Sequence, residues 1–129
     1  MRNRVLALPV ACALAVLAAP SADAAMLSRI GDREVCSLMS TIGREAALMR
    51  QTGVSQQSAA NRMGSLIGSA LSNGSGSQAE RQRTANLVAG EATNILRLVY
   101  SMPVERDDRA RAAAVLAAEE YIYGYCMGL

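Results

Sequence analysis

The chain has 129 residues, a formal net charge of +2, and no histidine, lysine, phenylalanine or tryptophan. So small a charge gives no electrostatic reason to expect a nucleic acid or an anionic membrane as partner. Without histidine there can be no Ser-His or Cys-His nucleophile pair, and without lysine no Schiff base or Ser-Lys pair.

Arg2 and Arg4 open the chain as a basic segment. Val5 to Ala19 follows as an uncharged run rich in alanine, leucine and valine, and Ala22-Asp23-Ala24 puts small residues where a signal peptidase reads. This three-part pattern predicts a cleaved secretory signal over residues 1–24 and a mature chain beginning at Ala25. The run is shorter than the roughly 20 residues of a membrane span, so cleavage is favoured over an uncleaved anchor. Cys12 sits behind Pro9-Val10-Ala11, a poor lipid-attachment box, and Arg2-Asn3-Arg4 is no twin-arginine pair. The expected location is periplasmic or secreted. Residues 25–129 suffice for one domain. Losing the signal removes two arginines and one aspartate, which leaves a formal charge of +1 and no membrane span.

Two cysteines remain, Cys36 and Cys126. They could be free thiols packed as small hydrophobes, but an even count in an exported chain favours a disulfide.

The first helix is predicted over about Arg33 to Gln51, capped by Asp32, with Val35, Leu38, Ile42, Ala46 and Met49 as its apolar stripe and Gly53 as its stop. Ser55 can cap a second helix, about Gln56 to Leu71, lined by Ala59 or Ala60, Met63, Leu66 or Ile67, and Ala70. Gly64 and Gly68 weaken it by about 1 kcal/mol each relative to alanine. Their G-x-x-x-G spacing would suggest close helix packing inside a membrane, but the segment is too short and polar to span one. Residues 72–78 read as a flexible Gly/Ser loop, in which Asn73-Gly74-Ser75 matches a glycosylation acceptor. The third helix, about Ala79 to Ser101, carries Val88, Ala92, Ile95, Val99 and Met102 in a 4-3-4-3 rhythm and ends at Pro103. The last begins at Arg106-Asp107-Asp108 with either aspartate as cap, and turns Val115, Ala118, Ile122 and Cys126 or Tyr125 inward. No alternating pattern suggests a strand. The fold class predicted is all-α, a small four-helix up-down bundle with one disulfide.

The cysteines are too far apart for a C-x-x-C redox or zinc motif, and no glycine-rich phosphate loop precedes a helix. The carboxylate pairs Asp107/Asp108 and Glu119/Glu120 are adjacent on helices and diverge. The methionines fall mostly on apolar stripes, so packing explains them better than copper binding. No catalytic residue, cofactor or metal is therefore expected. Tyr121, Tyr123 and Tyr125 spread around a helix, which should leave at least one exposed as an anchor for a partner.

Cys36, then Met49-Arg50-Gln51-Thr52-Gly53, then Val99-Tyr100-Ser101-Met102-Pro103, then Cys126 together form a frame across nearly the whole mature chain. In this the chain resembles a family of small, mostly uncharacterised exported proteobacterial proteins with a Cys … Met-Arg-Gln-x-Gly … Tyr-x-x-Pro … Cys pattern. Residues 64–77 lie outside that pattern. The resemblance implies an exported helical domain with a disulfide, and no activity.

In an up-down bundle the ends of the first and third helices share one end. Arg50, Gln51 and Gly53 should then approach Tyr100 and Pro103, with Arg50 bonding to turn carbonyls or stacking on Tyr100. These residues read as a structural motif, and secondarily as a binding surface. The function expected is that of a non-enzymatic exported protein that binds another protein, as inhibitors and immunity proteins do, an analogy at the level of fold. The alternatives are a periplasmic stress chaperone and a structural or envelope-associated protein.

Overall fold

The computed structural model describes residues 27–129. The predicted signal peptide and its cleavage site lie outside them. The described residues form four helices: α1 (Arg33–Gln51), α2 (Gln56–Asn73), α3 (Gln78–Tyr100) and α4 (Asp108–Met127). No strand occurs among the described residues.

A polar side chain caps the start of each helix. Asp32 accepts from the Glu34 and Val35 amides, Ser55 from Ser58, Ser77 from Glu80, and Asp107 from Ala110. Each satisfies amides that the first helical turn leaves without an intrahelical partner. At the far end of α1 the Val54 amide donates to the Met49 carbonyl and the Gly53 amide to Arg50. This is a Schellman closure, and it puts Gly53 at φ +83°, where a side chain would be strained.

Contacts between the helix ends set their directions. The Ile30 and Gly31 amides both donate to the Cys126 carbonyl at 2.9 Å, and Cys36 is bonded to Cys126 with their Cα atoms 5.6 Å apart. The start of α1 thus meets the end of α4. Arg83 near the start of α3 reaches Asp32 at 3.3 Å, so α1 and α3 run the same way. The bundle is up-down, with one disulfide.

Helix α1 is the hub and packs against each of the other three, while α2 pairs with α3. The stripe expected on α1 is therefore too narrow. Val35, Ile42 and Ala46 are buried as expected and Leu38 and Met49 are half-buried, but Cys36, Met39, Gly43 and Ala47 are buried too. A helix covered on several sides needs more than one apolar face. At Gly43 a Cβ would run into Ile122 of α4, with Ile95 of α3 close by. The missing side chain lets both isoleucines close on the hub.

The Gly/Ser loop is shorter than expected. Ser72 and Asn73 are helical, and only residues 74–77 connect α2 to α3. Arg81 accounts for this, since its guanidinium donates to the Leu71 carbonyl at 2.9 Å and to Gly76 at 2.7 Å. Helix α2 runs unbroken through Gly64 and Gly68, and a Cβ at either would meet nothing within 4 Å. The G-x-x-x-G pair therefore faces solvent. No helix among the described residues is long and apolar enough to cross a membrane.

Candidate functional site

Two places gather the polar and exposed apolar residues that could act on something. One is the end of the bundle where α1 and α3 finish. The other is the groove between α1 and α4.

At the bundle end the frame residues come together. Arg50 Nε donates to the Met102 carbonyl at 3.1 Å, and its guanidinium carbon lies 5.4 Å from the centre of the Tyr100 ring. The Tyr100 hydroxyl donates to the Val54 carbonyl at 2.9 Å, beside that of Ser55 at 3.3 Å. Gln51 is 2% exposed. Its amide nitrogen donates to the Pro103 carbonyl at 2.9 Å, and its oxygen accepts from the Glu105 amide at 2.8 Å. Arg111 of α4 then takes the Glu105 carbonyl at 2.9 Å. Three side chains thus hold the α3–α4 connection, and Tyr100 holds the α1–α2 turn.

This is a clamp whose polar atoms bond inward. Removing Tyr100 from water raises its hydroxyl pKa, with the Arg50 charge opposing the shift, because burial disfavours the phenolate. Gly53 belongs to the clamp through the backbone, by giving α1 the turn that brings Val54 and Ser55 under Tyr100. Pro103 contributes its carbonyl. Both arginine contacts anticipated from the sequence, carbonyl and ring, coexist. The buried amide of Gln51 had a weaker signal there, and its two-sided bond to the α3–α4 connection was not foreseen.

At the opposite end Cys36 and Cys126 form the staple. Met39 Sδ lies 3.6 Å from Cys126 Sγ, a contact between sulfurs, since an oxidised cysteine has no proton to donate. Asp32 is held below the usual carboxylate range by its bond from the Val35 amide and then by Arg83.

The groove has a different character. It measures about 520 Å³, with Ala112, Val115 and Leu116 of α4 on one side and Leu48 of α1 on the other. Leu48 is 49% exposed and Leu116 53%. Charges of both signs line its rim: Arg44 pairs with Glu119 at 3.4 Å, and Arg111 with Asp108 at 3.6 Å. The sequence pointed to at least one tyrosine of α4 as an exposed anchor. Tyr121 is exposed at 44%, but it stacks on Tyr125 with ring centres 6.0 Å apart, and Arg29 lies 5.1 Å over Tyr125. Two of the three rings therefore share a face, as residues four apart on a helix do. The leucines of the groove were passed over because neither belongs to the apolar stripe read on its helix.

Among the described residues no three of Asp, Glu, His or Cys gather as metal ligands would. Compared with protein-family models, curated proteins and solved structures, the chain matches none.

Proposed function

We propose that the protein is exported to the periplasm or beyond, catalyses no reaction, and acts by binding another protein through the α1–α4 groove, as inhibitors and immunity proteins do. The observation that carries this reading is the pair Leu48 and Leu116, both about half exposed across one groove. Large apolar side chains facing each other over an open cleft with a charged rim are the anatomy of an interface core within a polar border. The rim alternates Arg44, Glu119, Arg111 and Asp108. Its complement is a partner segment that offers one or two apolar side chains flanked by charges of both signs. The Cys36–Cys126 bond supports an oxidising compartment, as does the resemblance to a family of exported proteins.

Immobilised protein challenged with envelope extract of the producing cell tests the binding. The wild type should retain one stoichiometric partner, and Leu48→Glu, with an unchanged Tm, should lose it. Equal capture by both would sink the reading, and retention of many unfolded clients would point to a chaperone. Export has its own test: the intact mass of the secreted product should correspond to a chain starting at Ala25.

A further inference from the structure

We propose that the outer face of α4 pairs with the same face of a second copy of this chain, antiparallel, about a two-fold axis passing between Ala114 and Val115. Helix α4 buries Ala118, Ile122 and Cys126 against the bundle. On the side turned away from them stand Arg109, Ala113, Leu116 and Glu120, all exposed. Their 4-3-4 spacing is that of a coiled-coil seam, and no described residue covers it.

The order of residues along this seam is self-complementary. In an antiparallel two-fold pair, residues equidistant from the axis face each other. Arg109 then faces Glu120 of the second copy and Ala113 faces Leu116, each contact occurring twice. Opposite charges close both ends, and between them a small side chain meets a large one, which lets the helices approach closely.

Other arrangements lose this match. In a parallel pair Arg109 would face Arg109 and Glu120 would face Glu120. Sliding the antiparallel pair by one turn sets Arg109 against Leu116, or Glu120 against Ala113. Within the chain, Arg109 and Glu120 form no ion pair with any described residue, whereas Arg44, Arg83 and Arg111 do.

The seam spans about 12 residues, or roughly 18 Å of helix. It offers less than the standard ~1,600 Å² of a stable interface. The dimer therefore belongs to the weak, concentration-dependent class. The groove runs alongside the seam, with Ala112 and Leu116 common to both.

This inference rests on the protein-binding reading only in placing an interface on the exterior of α4, and its test uses the purified protein alone. Sedimentation of the disulfide-bonded protein at low ionic strength, from micromolar to millimolar, should show the mass doubling as concentration rises. Arg109→Glu and Glu120→Arg, each converting two attractive contacts to repulsive ones, should raise the dissociation constant by about tenfold. Arg109→Glu/Glu120→Arg should restore it to near the wild-type value. Far-UV circular dichroism should not change, since both positions are exposed. A single mass at every concentration would overturn the proposal, and so would single variants with no effect or a charge swap that fails to restore association. Such a failure leaves the groove reading standing, because Leu48 lies outside the seam.

Discussion

Gln51 shows how a polar side chain becomes structural. Its amide is buried, and both ends are engaged with the α3–α4 connection. Gln51→Ala leaves the Glu105 amide and the Pro103 carbonyl without partners, at about 1–3 kcal/mol for each group that stays dry. We expect a loss of about 2–4 kcal/mol in urea denaturation. A loss below 1 kcal/mol would mean that water replaces the side chain.

Arg50 and Tyr100 form a coupled pair at the same end. Arg50→Ala and Tyr100→Ala should each destabilise the fold, and the double variant should lose less than the sum by about 0.5–1 kcal/mol. Strict additivity would show that the ring contact contributes nothing. The Tyr100 hydroxyl adds a dependence on pH. Its pKa is raised in the folded protein, so its contribution is complete below the unfolded value of about 10 and is lost as pH rises through the folded one. Tyr100→Phe should therefore cost about 1 kcal/mol at pH 7, and the gap to wild type should narrow above pH 10.

At the scale of elements, the glycines of α1 and α2 have opposite meanings. Gly64 and Gly68 face open space on α2. Replacing either with alanine should stabilise the protein by about 0.5–1 kcal/mol, through helix propensity alone. Gly43→Ala gains the same propensity but pushes a methyl into Ile122, and overpacking of this kind costs about 1–3 kcal/mol. It should be neutral or destabilising, and Ile122→Val in the same chain should recover part of the loss. Thermal melts of the four variants would check this; a Gly43→Ala protein more stable than wild type would contradict the packing at the hub.

For the whole molecule, the disulfide closes a loop with a sequence separation of 90. In the chain-entropy model such a loop contributes about 4–5 kcal/mol. Its worth is large here because the core lacks phenylalanine and tryptophan and α4 docks chiefly on α1. Cys36→Ser should lower stability by several kcal/mol, and the first part of the fold to loosen should be the packing of α4 on α1. Hydrogen exchange would locate this as lost protection in α4. Loss spread evenly over all four helices would argue against a selective staple.

What the sequence determined by itself is local or covalent. Asp32, Ser55 and the Asp107-Asp108 pair announced three helix starts because an N-cap needs only its own first turn. Gly53 announced a stop because a left-handed residue is a local demand. The spacing of Val88, Ile95 and Val99 revealed one core face, and the even cysteine count suggested the staple. Once up-down topology was assumed, helix lengths were enough to bring Arg50 toward Tyr100. The tertiary structure decided what depends on which neighbours a helix acquires. Periodicity read one face of α1, whereas three partners bury more of it. Gly43 carries no signal of its own, since its role exists only when Ile95 and Ile122 arrive from elsewhere in the chain. The end of α2 moved to Asn73 because Arg81 of the next helix took the Leu71 carbonyl. Leu48 and Leu116 became a groove only when α4 lay antiparallel on α1. Caps and turns are settled within a few residues, but burial is a property of pairs of surfaces, and a single chain of letters does not state which surfaces meet.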